Sequence, residues 1–365
     1  MKMLAAVYYG PHDLRIEDRE APSISADEML LRVNYASICA TDLRILHGHH
    51  RKFGAGTVRI PGHEIFGTIE QLGRAVLDYH VGDRIFIAPN IGCGSCPQCR
   101  VGQNNLCPSY EAFGITLDGG FAEYMRIPAA AIKQGNAIRI DQQFDGASVA
   151  LAEPLACVLH GQDKIGLGKE DTVLIEGAGP IGLMHLLLAR LRGASRIIVS
   201  DHSSFRLTTA RALSADRVID FEAENLSDAV SEETDGRGVD VVIVTAANRT
   251  AFETAIHQAA PGARINFFAG LPKENSSILL DANQIHYKEI IVTGSTGCST
   301  SECRRAADLV ASGDINLKPL ITGRFPLSQI LEAIEASKDR NGLKVIIESH
   351  LNHGQAKLCI STPSE

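Results

Sequence analysis

The chain has 365 residues, 45% hydrophobic and 21% charged, with a mean hydropathy of +0.02, a composition that suits globular folding and leaves room for two domains. A formal net charge of −8 and a pI near 5.9, with no lysine/arginine block to offset them, exclude an electrostatic nucleic-acid binder. No apolar run approaches the roughly 18 residues of a membrane span, and nine cysteines, an odd number, cannot all pair internally, so a cytoplasmic protein with reduced cysteines is expected.

Taken in chain order, residues 1–150 read as β-rich: the apolar runs MLAAVYY, MLLRVNYASI and RIFIAP are separated by Gly, Pro, Asp and Asn. The second run leads into ASICATD, which carries Cys39 in apolar surroundings, and 24 residues on IPGHEIFG carries His63 and Glu64. A thiolate, an imidazole and a carboxylate form a mixed donor set suited to a catalytic zinc with an exchangeable position. Each alone also has an ordinary role, as a core cysteine or a hydrogen-bonded histidine. Glu153, in LAEPLAC, offers a further carboxylate or caps a helix ahead of Pro154.

Between these lies GCGSCPQCRVGQNNLC, which spaces Cys93, Cys96, Cys99 and Cys107 by two, two and seven residues in a glycine-rich loop. Four thiolates so spaced close tetrahedrally around one Zn²⁺ and leave no open position, so the loop is expected to be a metal staple rather than a catalyst. No thioredoxin-like pattern accompanies the competing Cys-x-x-Cys redox reading, while spacing alone leaves an iron–sulfur cluster open.

The texture changes near residue 154. DTVLIEGAGPIGLMHLLLARLRGA reads as a β-branched strand, a glycine turn and an apolar helix. RIIVSD, VDVVIVTAA, RINFFAG and EIIVTGS are further buried strands, with helices in SSFRLTTARAL and TAFETAIHQAA, a rhythm that predicts a parallel sheet covered on both faces. Gly177-x-Gly179-x-x-Gly182, placed after a strand and opening a helix, fits a dinucleotide pyrophosphate. Asp201, nineteen residues beyond Gly182, ends the next strand, where an acid accepts the ribose hydroxyls and disfavours the extra phosphate of NADP. Arg206 would accept that phosphate, so NAD is expected with NADP as the alternative. The ordinary reading is a glycine turn in some other α/β protein, with Asp201 capping a helix. Two amphipathic helices, around 301–312 and 327–337, precede a last strand LKVIIE, and the polar segment His350 to Glu365 is expected to be a loosely held tail.

CATD, GHE, the four-cysteine lobe and GAGPIG, in that order, resemble the zinc-containing medium-chain alcohol dehydrogenase family over residues 1–348. The resemblance implies an α/β chain with a GroES-like β-barrel catalytic domain over 1–153, completed by 296–365, and a doubly wound Rossmann domain over 154–295. It implies two zinc ions per chain. Cys39, His63, Glu64 and Glu153 would serve the catalytic one, Glu153 directly or through water, and Cys93, Cys96, Cys99 and Cys107 the structural one. Thr41 would pass the alcohol proton outward and Asp42 would buttress the site. Gly177, Gly179, Pro180, Ile181, Gly182, Asp201, Arg206, Gly270, Leu271, Ser295 and Thr296 would meet NAD.

Glu153-Pro154 and HYKEIIVTGSTG look closest to the sorbitol (L-iditol) branch, which implies hydride transfer between NAD and a secondary alcohol of a polyol or sugar-derived substrate. The alternatives are a phosphorylated-polyol or L-threonine-type dehydrogenase, for which Arg44, Arg51 and Lys52 would meet an anion where the ordinary reading makes them a solvated loop, and a dinucleotide-binding protein without turnover. Three departures from the family stand out. Arg44 holds the place of a relay histidine (His47, His49 and His50 follow closely), Gly297 that of a substrate arginine, and Ala40 that of a glycine. The expected partner is a small molecule, with neither nucleic acid nor membrane, and the chain is expected to be a homo-oligomer, tetramer or dimer.

Overall fold

Residues 1–140, 144–339 and 341–350 are described in the computed structural model of the chain, so residues 351–365 of the expected tail lie outside the described residues. The chain divides into two units, Met1–Ala156 with Cys298–Glu365, and Cys157–Gly297. In the first unit β1 (Lys2–Gly10) pairs antiparallel with β2 (Asp13–Glu20). β2 is too polar to announce itself by hydropathy, and its ladder to β1 is what makes it a strand. β3 (Met29–Ser37), β4 (Glu64–Leu72), β5 (Arg84–Ile87), the short pair β6 (Asn90–Ile91) and β7 (Glu111–Ala112), β8 (Tyr124–Ile127) and β9 (Ala137–Arg139) follow. Tyr8, Met29, Ile65, Ile85, Phe113 and Phe121 fill the interior of this unit.

The second unit runs β10 (Thr172–Glu176), β11 (Arg196–Asp201), β12 (Arg217–Asp220), β13 (Val239–Val244), β14 (Ala259–Phe267) and β15 (Ile291–Gly294). All six are parallel, in the order β12-β11-β10-β13-β14-β15, so the order reverses between β10 and β13. That is the doubly wound arrangement, whose ligands lie beyond the carboxyl ends of the strands. The continuous apolar runs TVLI and VVIV are the consequence of helices covering both faces. The helix Pro180–Leu191 starts with Gly179 as N-cap and Pro180 at its first position, where a fixed φ helps and no N–H is missed. TAFETAIHQAA is helical only in part. An α-helix Arg249–Thr254 gives way to a 3₁₀ turn Ala255–Gln258, because β14 already takes Ala259 into its ladder opposite Val239.

The chain then returns to the first unit through the helix Thr300–Ser312, β16 (Ile321–Pro326), the helix Ile330–Ser337 and β17 (Lys344–Glu348). β16 and β17 extend the sheet to seven strands, in the order β16-β17-β3-β4-β5-β9 with β8 also on β3. Among the described residues no helix is long and apolar enough to cross a membrane.

Candidate functional site

Cys39 and His63 meet because of one strand register. β3 pairs antiparallel with β4 so that Ser37 faces Glu64, which puts the residues just after β3 beside those just before β4. Cys39 does not lie in the apolar strand that its surroundings suggest. The ladder ends at Ser37, and Cys39 is the N-cap of a short helix, Ala40–Leu46. The Asp42 carboxylate accepts the Cys39 N–H at 2.8 Å through Oδ2, and its Oδ1 lies 3.6 Å from His63 Nδ1. One donor atom each from Cys39, His63 and Glu64 falls within 4.8 Å of the others. Thr41 sits half-buried in the first turn of the same helix.

The electrostatics of this triplet favour positive charge. Burial pushes the His63 imidazole down, but the Asp42 carboxylate and the Cys39 sulfur more than reverse this and hold it well above its usual value. A pocket that charges an imidazole this strongly, with a soft sulfur and carboxylates as donors, fits a divalent cation such as zinc. β17 adds a residue that the sequence reading missed. Ile346 faces Ser37, so the antiparallel register carries Lys344 level with Cys39. Its Nζ donates to both oxygens of Glu64, at 2.7 and 2.6 Å, and to the Ile38 carbonyl at 3.1 Å. A lone lysine inside the apolar run LKVIIE was the available signal.

Glu153 lies in the first turn of the helix Ala152–Lys164, buried, with Oε1 3.9 Å from Cys298 Sγ. It adds to the negative field on Lys344 but is not one of the Cys39–His63–Glu64 triplet. Of the three nearby histidines, His47 and His49 are exposed and stack on each other, while His50 is half-buried. Burial, with Arg51, His63 and Arg44, lowers the His50 pKa against a smaller pull from Asp42, so His50 senses this site. Arg51 and Lys52 are exposed and lean on Tyr110.

Cys93, Cys96, Cys99 and Cys107 bring their sulfurs within 4.8 Å of one another. Backbone N–H groups of Cys96, Cys99 and Cys93 point at the sulfurs of Cys93, Cys96 and Cys107, at 3.4, 3.4 and 3.3 Å. Hydrogen bonds from Ser95 and Cys96 pull the Cys93 thiol down to about 6, whereas burial drives Cys99 up to about 12. Four such sulfurs ionise together only around a cation, which fits a closed metal staple. Gly92 is required by space, since a Cβ there would stand 2.5 Å from Cys99 Sγ.

In the second unit the expected cofactor residues other than Arg206, which lies in the helix Ser204–Ala212, stand at or just beyond the carboxyl ends of parallel strands. The glycine turn follows β10, Asp201 ends β11, Gly270 and Leu271 follow β14, and Ser295 and Thr296 follow β15. Gly177 takes φ +109°, and a Cβ on Gly182 would stand 1.8 Å from the Gly177 carbonyl oxygen. Thr245, unforeseen in the sequence, locks the turn by donating to the carbonyls of Glu176 and Gly177 at 2.9 and 3.0 Å. Asp201 has a structural role within the chain. Its carboxylate accepts the N–H groups of Ala178, His202 and Ser203 at 2.7, 2.8 and 2.9 Å, which ties the second strand to the glycine turn. Arg206 reaches over that turn, with Nη1 3.8 Å from the place of a Gly179 Cβ.

Glu176, just before Gly177, is buried with no hydrogen-bond partner for Oε1, and burial pushes its carboxyl up to about 8. The native chain therefore keeps a proton that the unfolded chain releases near 4.5, and stability falls as pH rises from there towards 8. Glu176→Gln is expected to raise stability near pH 7 by up to about 3 kcal/mol and to change little near pH 4. Urea unfolding at the two pH values checks this, and equal stability at pH 7 would show that the carboxyl is ionised and solvated.

Residues 25–135 match the family model of the alcohol dehydrogenase GroES-like domain, and residues 180–312 that of the zinc-binding dehydrogenase. The L-threonine 3-dehydrogenase of Rhizobium etli strain CIAT 652 is 30% identical over 338 residues, 92% of this chain and 95% of the relative. A protein of Sinorhizobium meliloti 1021 described as a zinc-binding dehydrogenase, solved with NADP, superposes with a TM-score of 0.89 at 33% identity, covering 96% of this chain and 100% of that one. A protein of Escherichia coli CFT073 described as a short chain alcohol dehydrogenase, solved with NADH, gives 0.86 at 29% identity over 95% and 99%.

Proposed function

The chain belongs to the zinc-binding medium-chain alcohol dehydrogenase family and is an oxidoreductase, and from that premise we propose that it transfers hydride between the secondary alcohol of a polyol or sugar-derived substrate and NAD. The observation that carries this is the Cys39–His63–Glu64 triplet, its imidazole and carboxylate buried and its sulfur half-buried, with Asp42 behind it. Bound there, zinc supplies a Lewis acid that lowers the proton affinity of an alcohol oxygen, and NAD supplies the hydride acceptor.

Cys39 and His63 would hold the metal, with Asp42 orienting the His63 ring and the Cys39 backbone. Both oxygens of Glu64 already accept from Lys344, so giving one to the metal costs part of that ion pair, and Glu153 is the second carboxylate. The Thr41 hydroxyl would accept the alcohol hydrogen while giving up its own proton outward, so it relays the proton without holding it. His50, kept neutral by burial and by the cations around it, takes the exit role that Arg44 cannot fill. Cys93, Cys96, Cys99 and Cys107 would hold a second zinc as a staple.

Asp201 supports NAD over NADP, although Arg206 lies near enough to meet a phosphate, and the two solved proteins named above carry NADP and NADH. β15 is one of the two edge strands of its sheet, and with exposed Ile291, Tyr287 and Leu279 nearby it supports a homo-oligomer, with a tetramer as the assignment to test. The eight cysteines of the described residues are all thiols, in keeping with a cytoplasmic location.

The threonine dehydrogenases among the relatives favour a second reading, in which the alcohol is the β-hydroxyl of L-threonine. NAD⁺ reduction measured across polyols, sugar phosphates, inositol-type alcohols and L-threonine separates the two. Fastest turnover on an unphosphorylated polyol is expected. Activity confined to threonine, or to simple primary alcohols, would overturn the polyol assignment.

The glycine turn gives a paired prediction. A Cβ at Gly179 has room within the chain, its nearest neighbour being Arg206 at 3.8 Å, so Gly179→Ala should fold and lose at least about tenfold in NAD⁺ affinity. Gly182→Ala instead strikes backbone and is expected to cost about 1–3 kcal/mol of stability. Thermal unfolding and a fluorescence titration with NAD⁺ read both. Unchanged affinity in Gly179→Ala would displace the cofactor from this turn.

A further inference from the structure

Besides the residues assigned above, the first unit holds a second meeting of thiols. Cys298 and Cys303 are both buried, with their Sγ atoms 3.4 Å apart. We propose that Cys298 and Cys303 are a redox-sensitive dithiol, which hydrogen peroxide converts to an intramolecular disulfide, removing the thiol proton that Cys298 presents to Glu153.

The local sequence sets the contact. Cys298 immediately precedes Ser299, the N-cap of the helix Thr300–Ser312, and Cys303 lies in its first turn. The turn is held rigidly. The Ser299 N–H donates to Glu302 Oε2 at 2.7 Å, and the Glu302 N–H donates back to Ser299 Oγ at 3.3 Å. From outside, Asn90 Nδ2 donates to the Cys298 carbonyl at 3.2 Å, and the Thr300 N–H donates to Asn104 Oδ1 at 3.0 Å. With both backbones fixed, bonding requires the sulfurs to close to about 2.05 Å, a movement of about 1.4 Å by side-chain rotation. Cys298 Sγ also lies 3.9 Å from Glu153 Oε1, so the Cys298 thiol can donate to the carboxylate while the Cys303 thiol donates to the Cys298 sulfur.

In the first step the O–O bond of peroxide breaks as one sulfur takes an oxygen, giving a sulfenic acid and one water. The second thiol then attacks that sulfur. The S–S bond forms, the S–O bond breaks, and a second water leaves with the remaining thiol proton. The two sulfurs together lose two electrons to the peroxide oxygens. Both thiols are all but fully buried, which excludes the bulky, charged disulfide of glutathione and leaves hydrogen peroxide, small and neutral, as the oxidant tested. The consequence for turnover rests on the function proposed for Glu153; the formation of the disulfide does not.

Zinc-loaded, full-length protein is treated with peroxide, alkylated and digested with trypsin. Cleavage after Lys288 and Arg304 leaves both cysteines in one peptide, 289–304. That peptide is expected to lose about 2 Da, two hydrogens, to escape alkylation and to regain its mass on reduction. Oxidised glutathione is expected to leave it unchanged, and Cys303→Ala to leave Cys298 as a trappable sulfenic acid. Double alkylation of the peptide at peroxide doses that oxidise the other cysteines would overturn the proposal. In parallel kcat/KM is expected to fall about tenfold and to recover on reduction. A disulfide that forms without this loss would keep the dithiol and remove Glu153 from the reaction.

Discussion

Cys39→Ala is expected to bind one zinc per chain instead of two and to lose at least about 10³-fold in kcat/KM on the preferred alcohol, with its folded structure retained. The magnitude follows from the several kcal/mol of charge stabilisation that a Lewis acid contributes, each 1.4 kcal/mol or so being worth tenfold. Cys39 caps only the seven-residue helix Ala40–Leu46, and the strands on either side keep their ladders without its sulfur. Removing it therefore strips a metal donor without opening the core. Cys93→Ala is the control. It too should lose one zinc, but with a lowered Tm and little change in the chemistry of the chains that remain folded, because a closed thiolate shell offers substrate no position. Metal analysis, initial rates and thermal unfolding on the three proteins decide the matter. A Cys39→Ala protein that keeps both zinc ions and its rate would move the catalytic centre elsewhere.

Lys344→Met is expected to cost about 3–5 kcal/mol, the penalty for leaving a buried carboxylate without its partner. Glu64 is fully buried and Lys344 is 5% exposed, so water cannot take over when the ammonium is removed. The double variant Glu64→Gln with Lys344→Met is expected to recover most of the loss, since no uncompensated charge then remains. Burial pushes the Lys344 ammonium down, but Glu64 and the Cys39 sulfur outweigh it and raise its pKa above 10.5. A raised lysine stabilises the fold fully below its unfolded value, and that contribution is lost only as pH climbs through the folded one. The gap between wild type and Lys344→Met is therefore expected to stay constant from neutral pH into mild alkali and to close above it. Denaturant unfolding of the four proteins of the cycle measures this. A cost below about 1 kcal/mol for the single variant would mean that the pair is hydrated and weak.

Much of this molecule was legible because its chemistry is written locally. Cys93, Cys96, Cys99 and Cys107 lie within one loop, and the glycine turn lies within one strand–turn–helix unit, so spacing alone brings their atoms together. The parallel sheet was legible for a related reason, since strands such as VDVVIV are buried on both faces and must be apolar throughout. β2 was not legible, because a polar strand held by pairing carries no hydropathic signature.

Residue identity and short spacing suffice to name the donors, two zinc-type sets and a dinucleotide turn. How the distant donors combine depends on the folded sheets. The register of β3 on β4 carries Cys39 to His63, and that of β17 on β3 carries Lys344 to Glu64 across 280 residues of chain. The contacts of Cys298 with Cys303 and Glu153 were decided there too, by the docking of one helix start against Asn90 and Asn104. Register and docking depend on ladders and burial summed over the whole sheet, and no short stretch of sequence contains that sum.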